Sequence, residues 1–149
     1  MRVALGADHA GVHLKDSVRS LLESRGIEVQ DTGTADETSV DYPDYAARVG
    51  HSVADGAADR GILVCGTGLG MAIAANKIDG VRAVPVVDLE SARLCREHND
   101  ANVLTLGARL TAPDAALKIV EAFLDTPFAG GRHQRRLDKI AAIERDRHS

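Results

Sequence analysis

The sequence predicts a three-layer α/β/α sandwich on a five-stranded parallel sheet, Rossmann-like, with an extending C-terminal helix. Three observations predict it. Short apolar runs alternate with helical stretches along the whole chain, which implies parallel strands joined by helical crossovers. The apolar content, 44%, is mostly Val, Ile, Leu and Ala, with 3% aromatics and no Trp, which suits helices packed closely on a sheet. At 149 residues the chain is the size of one ordinary domain with one substantial core. A single domain over residues 1–149 is therefore expected.

The first strand is "RVALG" (2–6), followed by a helix with Leu14, Val18, Leu21 and Leu22 at helical spacing. Arg25 and Gly26 stop that helix, and "IEVQD" (27–31) is the second strand. The polar stretch 31–41 lacks periodicity and reads as a loop of the kind that borders a site. Pro43 then opens a helix carrying Ala46, Val49 and Val53. "GILVC" (61–65), "VRAVPVV" (81–87) and "NVLTLG" (102–107) are the remaining strands. Pro85 implies that the fourth is shorter than its apolar run or lies at an edge. "TAPD" (111–114) reads as an N-cap followed by an acidic N3, ahead of a helix with Ala116, Ile119, Val120 and Phe123 on one face. A last charged helix runs from about 131 to 147, with Leu137, Ile140, Ala141 and Ile143 as its apolar residues.

The net charge of -4 and pI near 5.8 exclude a general nucleic-acid affinity, so any anion site is local. Two cysteines make no disulfide framework, and the opening apolar run is too short for a membrane span or signal peptide. A soluble, cytoplasmic protein is expected.

Ligands of parallel sheets bind outside the carboxyl ends of the strands. That rule brings the loops after Gly6, Cys65 and Gly107 to one rim, with "DYP" (41–43) and "EHND" (97–100) expected as neighbours. In "CGTGLGMAIAANK" a strand ends, glycines turn the chain and a helix begins, so that several N–H groups can converge on an anion. The familiar alternatives fail. Met71 stands where a dinucleotide fingerprint needs Gly and where a cysteine-phosphatase loop needs Arg, and no Walker-type Lys-Ser or Lys-Thr follows.

Cys65 is either a buried filler or a thiol whose ionisation the helix N-terminus favours, and thus a usable base or nucleophile. Cys95 reads as core packing, and a Cys95/His98 metal pair lacks further ligands. Asp8 and His9 follow the first strand, as a cap and an exposed ring or as groups that orient a sugar and move protons. His98 and Asn99 read alone as a polar helix end. Arg132 and Arg136 lie four apart beside Gly130 and Gly131, either a solvated charge run or a phosphate clamp.

Together "GADHAG", "DTGT", "DYPDYA", "GILVCGTGLGMAIAANK", "SARLCREHNDANVLTLGARL" and "GGRHQRR" resemble, in order and over essentially the whole chain, segments of the ribose-5-phosphate isomerase B family, which includes galactose-6-phosphate and allose-6-phosphate isomerases. The resemblance implies aldose–ketose isomerisation of a sugar phosphate through a cis-enediolate, without metal, nucleotide or other cofactor. By position Cys65 is then the base between C1 and C2, beside Thr67. The amides of Gly66, Thr67, Gly68, Leu69 and Gly70 bind the enediolate oxygens. His98, supported by Asp8, opens the furanose ring; Asn99 binds the sugar and Tyr42 lines the pocket. His9, Arg109, Arg132 and Arg136 hold the phosphate. A branch of the family without the cysteine uses Glu at the end of the glycine loop; Met71 stands there here. The resemblance also implies a homodimer or dimer of dimers with shared sites and the C-terminal helix reaching to a partner. The competing readings are an isomerase of another sugar phosphate, a non-catalytic sugar-phosphate-binding module, which Cys65 with His98 argues against, and a cysteine redox protein, which the absence of C-x-x-C disfavours.

Overall fold

The computed structural model describes all 149 residues. Five strands, β1 (Arg2–Ala7), β2 (Glu28–Asp31), β3 (Arg60–Cys65), β4 (Ala83–Pro85) and β5 (Val103–Gly107), form one parallel sheet in the order β2-β1-β3-β5-β4. Between and after them run α1 (Val12–Ser24), α2 (Tyr42–Ala54), α3 (Leu69–Ala75), α4 (Leu89–Glu97), α5 (Pro113–Asp125) and α6 (Arg132–Asp146).

Alternate strand residues face opposite sides, because side chains along a strand point up and down in turn. Leu5, Ile62, Val64, Leu104 and Leu106 pack with Leu14, Val18 and Leu22 of α1, Cys95 of α4 and Ile119, Val120 and Phe123 of α5. On the other face Ala4, Leu63, Cys65 and Val103 meet Tyr45, Ala46 and Val49 of α2 and Met71 and Ala75 of α3. Both faces being covered explains why the central strands read as unbroken apolar runs. Crossovers toward the β2 edge carry their helices on one face and those toward the β4 edge on the other, as one handedness of connection requires. The chain therefore switches direction between β1 and β3.

The fold class is the expected one, and two local readings are refined. β4 is both shorter than its apolar run and an edge strand, so Pro85 deprives no inner ladder of a donor. The N-cap of α5 is Ala112, with no side-chain cap, rather than Thr111; Pro113 takes the first helical position, whose N–H needs no partner, and the buried Thr111 hydroxyl has no hydrogen-bond partner. Asp88 is the side-chain cap that does form, accepting from the Ser91 N–H at 2.7 Å at the start of α4.

α6 leaves the sandwich. It starts beside the end of α4 and reaches the α3–β4 connection, where the Gly80 N–H donates to Glu144 at 2.9 Å and Asp79 pairs with Arg147 and His148. It thus crosses the amino ends of the strands, and a groove of about 500 Å³ lies between it and the β4 edge. No helix is long and apolar enough to cross a membrane.

Candidate active site

β1 and β3 are neighbours whose onward connections leave in opposite directions, which opens a crevice at their carboxyl ends. Asp8 and His9 leave β1 there, and Cys65 ends β3. Cys65 is buried on the α2/α3 face, and the Gly68 N–H donates to its Sγ at 3.1 Å. That contact needs the glycine turn: Gly68 caps α3 at φ 78, a left-handed conformation that L side chains resist. The turn is pinned from beneath by the fully buried Thr105, whose hydroxyl donates to the Gly68 carbonyl at 2.7 Å. It lies so close to β5 that a Cβ on Gly107 would sit 2.6 Å from the Thr67 backbone.

Two further residues are packed on the loop. The Arg109 guanidinium rests where a Cβ on Gly66 would approach its Nη1 to 2.9 Å, and the Tyr42 ring occupies the space above Gly70. Arg109 forms no ion pair, so its charge is available to an anion. Asp8 uses Oδ1 to accept from the N–H groups of Ala10 and Gly11 at 3.0 and 3.2 Å, which leaves Oδ2 unpaired at the crevice. His9 Nδ1 accepts the Val40 N–H at 3.2 Å, and this fixes the ring proton on Nε2. Thr67 is exposed, and its hydroxyl accepts the Leu69 N–H at 3.3 Å.

The second support of this rim lies deeper. Lys15, 2% exposed, donates to Asp31 at 2.7 Å, and the other Asp31 oxygen accepts the Gly33 N–H at 2.9 Å. Burial opposes the charge on Asp31, but Lys15, the Gly33 N–H and Arg19 together outweigh it and hold the carboxyl below its usual range. This pair ties the loop from 31 to 41, which carries the donor to His9, onto α1.

"EHND" does not join that rim, contrary to the expectation from sequence. α4 runs back along the sheet, from the carboxyl end of β4 to the amino end of β5, so His98, its C-cap, and Asn99 lie at the amino rim. The height of a five-residue strand, about 16 Å, separates them from Cys65. Their turn is firmly built: Asp100, at φ 45, accepts from Arg96 at 2.8 Å, Arg82 binds its carbonyl at 2.9 Å, and Arg96 is 3% exposed. Arg132 and Arg136 stand on the first turns of α6, exposed and without a carboxylate partner, also at this rim.

Between the two groups of this rim lies a residue that the sequence reading passed over. His133 is buried, and its ring stacks on His98 with centroids 4.3 Å apart and planes 16° from parallel. Burial pushes His133 below the usual histidine range, His98, Arg132 and Arg136 push the same way, and Glu97 opposes them. Its helical spacing from Leu137, Ile140, Ala141 and Glu144, which line a second, smaller cavity of about 180 Å³ beside Gly80 and Asp100, was the available signal. Cys95 is core as expected; its Sγ–H donates to the Ala92 carbonyl at 3.2 Å, and burial pushes the thiol up to about 11.

Residues 3–140 match the model of the Ribose/Galactose Isomerase family. Over 147 residues, 99% of each chain, it is 48% identical to ribose-5-phosphate isomerase B of Escherichia coli (strain K12). The solved structure of Clostridium thermocellum ribose-5-phosphate isomerase B superposes with a TM-score of 0.97 at 49% identity, covering 98% of this chain and 99% of that one. That of ribose-5-phosphate isomerase B from Mycoplasma genitalium, with bound ribulose-5-phosphate, superposes with a TM-score of 0.94 at 42% identity, covering 97% and 96%.

Proposed function

This chain belongs to the Ribose/Galactose Isomerase family and is a sugar isomerase; from that premise we propose that it interconverts ribose 5-phosphate and ribulose 5-phosphate through a cis-enediolate. The observation that carries the reading is the Cys65 sulfur, set at the crevice between β1 and β3 with the Gly68 N–H upon it. The Gly68 N–H orients this sulfur toward the crevice, and Cys65 is the base that takes the C2 proton of the opened aldose and returns it to C1. The amides of Gly66, Thr67 and Gly70 hold the enediolate oxygens as charge develops there, while those of Gly68 and Leu69 donate to the Cys65 sulfur and the Thr67 hydroxyl. They are preorganised by the Thr105 hydroxyl and the close passage of β5, so little reorganisation accompanies the step. Tyr42 walls this pocket, Thr67 borders it, and Asp8 Oδ2 binds a sugar hydroxyl.

The separation of the two rims within one chain supports a site shared between two copies. One protomer supplies Cys65, the glycine loop, Asp8, His9, Tyr42 and Arg109. Its partner supplies His98 to open the furanose ring, Asn99 to hold the sugar, and Arg132 and Arg136, which grip the phosphate with His9 Nε2–H and Arg109. Phosphate binding then orients the reacting carbons. Exposed apolar side chains at both rims, Leu69, Ile73 and Leu110 at one and Ile140 and Ile143 at the other, fit contact between copies, with α6 reaching across a homodimer. The family model also covers galactose isomerases, which favours a six-carbon sugar phosphate as the second reading.

The test is formation of ribulose 5-phosphate from ribose 5-phosphate by the purified protein and by Cys65→Ala. Turnover that disappears in the variant, with sugar-phosphate binding retained, supports the reading. Turnover that survives removes Cys65 as the base, and an inactive parent protein with an active six-carbon reaction replaces the substrate.

A further inference from the structure

We propose that His133 is a positioning residue for His98, its stacked ring fixing the plane in which the His98 imidazole meets the furanose ring oxygen. This rests on the ring-opening role proposed for His98. In that step the C1–O4 bond breaks, its electron pair leaves on O4 together with the proton given by His98, and the anomeric hydroxyl releases its proton to water.

The geometry carries the inference. His98 is the last turn of α4, and its N–H donates to the Leu94 carbonyl at 2.9 Å, but its side chain makes no hydrogen bond in the chain. A half-exposed imidazole without a hydrogen-bonded orienting partner is free about χ2. The remaining contact that sets its plane is the face of His133, 4.3 Å away and 16° from parallel. His133 is itself held. It is the one buried residue of α6, its N–H donates to the Gly130 carbonyl at 3.1 Å, and the Ala129 N–H ties the approach to α6 onto Glu97 at 3.1 Å. Gly130 and Gly131, at φ 66 and 58, give the sharp entry that brings the first turn of α6 against the end of α4.

Charge suits His133 to the part of a neutral platform. The groups facing it are Glu97 and His98 on α4 and Arg132 and Arg136 on α6. Burial and three of those four disfavour a positive charge on its ring, and Glu97 alone opposes them.

The experiment uses the full chain with His133→Ala and His133→Phe. Alanine is the best helix former and α6 is largely exposed, so both variants keep the fold, which circular dichroism checks. Two reactions are compared. Conversion of ribose 5-phosphate requires ring opening. Exchange of the C1 proton of ribulose 5-phosphate in deuterated water does not, because that ketose, with O5 esterified, has no furanose form. We expect His133→Ala to slow the first by roughly tenfold or more, as for a misplaced general acid, with KM and the exchange within about twofold of the parent protein. His133→Phe, which keeps a flat face, restores most of the lost rate. The positioning role is overturned if His133→Ala leaves conversion unchanged, if conversion and exchange fall together, or if His133→Phe is as slow as His133→Ala. A parent protein inactive on ribose 5-phosphate rejects instead the reading on which the role rests.

Discussion

The two rims of the sheet are built by different means. At the carboxyl rim the backbone does most of the placing: the turn from Cys65 to Leu69 is set by the left-handed Gly68, the Thr105 hydroxyl and the close passage of β5 at Gly107. At the amino rim side chains do it: Arg82 and Arg96 clamp the Asp100 turn, His133 stacks on His98, and Arg132 and Arg136 project from α6 without partners. The contrast fits the shared site proposed above: on that reading the carboxyl rim offers fixed amides to developing negative charge, and the amino rim offers cationic groups that complete the site of another copy.

The strongest way to break this comparison is to disable each rim in turn. Cys65→Ala and His98→Asn are each expected to lower ribose 5-phosphate turnover by about two decades or more, the range for loss of a general acid or base. Neither variant alone recovers. If the sites are shared, mixing the two variants under conditions that exchange subunits yields hybrids with one intact site, and random pairing returns roughly a quarter of the parent activity. No recovery in verified hybrids would show that both residues serve the same chain's site.

Next in size is the deep support of the carboxyl rim. Lys15→Met leaves Asp31 charged, largely buried and short of its main partner, and is expected to destabilise the chain by roughly 3 kcal/mol, read from urea unfolding. The sign with pH follows from the lowered Asp31 carboxyl: its contribution is present above the unfolded carboxyl range and is lost as pH falls through the folded value. Acid unfolding of Lys15→Met therefore begins at higher pH than that of the parent. An unchanged acid transition would mean that the pair does not hold the loop from 31 to 41.

The same contrast explains what was legible in the sequence. The cradle could be read because strand, glycine turn and helix are contiguous from Gly61 to Ala75, and because the alternation of elements places every such turn at one rim. Tyr42 is expected there from the family resemblance rather than from that rule, and its place as the first residue of α2, which packs with α3, supplies the physical reason. The position of "EHND" was misread because local residue types carry no direction: only the antiparallel run of α4 against the sheet puts His98 at the far rim. His133 is masked by the three arginines of "GGRHQRR", where the charge pattern hides a helical face. Thr105 was invisible for a simpler reason. A threonine in an apolar strand is unremarkable until its hydroxyl is seen to hold Gly68.

A smaller effect sharpens the division of labour at the amino rim. Arg132→Ala and Arg136→Ala remove exposed side chains that bind nothing in the free chain, so the thermal midpoint stays within a degree or two of the parent, as for surface substitutions. Each is expected to raise KM for the sugar phosphate by about tenfold, the scale of one charge-assisted bond to phosphate. A fall in kcat with unchanged KM would take the phosphate from this pair.

The smallest expected effect separates the two cysteines. Both are buried, but only Cys65 has an amide N–H on its sulfur and lies at a crevice, whereas burial pushes the Cys95 thiol up to about 11. Below pH 9 Cys95 is therefore almost wholly a thiol, and the thiolate is the species that alkylates. Iodoacetamide at neutral pH is expected to modify one group per chain, with activity lost in parallel and protected by sugar phosphate. Cys95→Ala should leave both the stoichiometry and the turnover unchanged, and Cys65→Ala should abolish the modification. Equal labelling of the two cysteines would mean that the Gly68 donor gives Cys65 no advantage, and the carboxyl rim would lose its claim to the proton-transfer step.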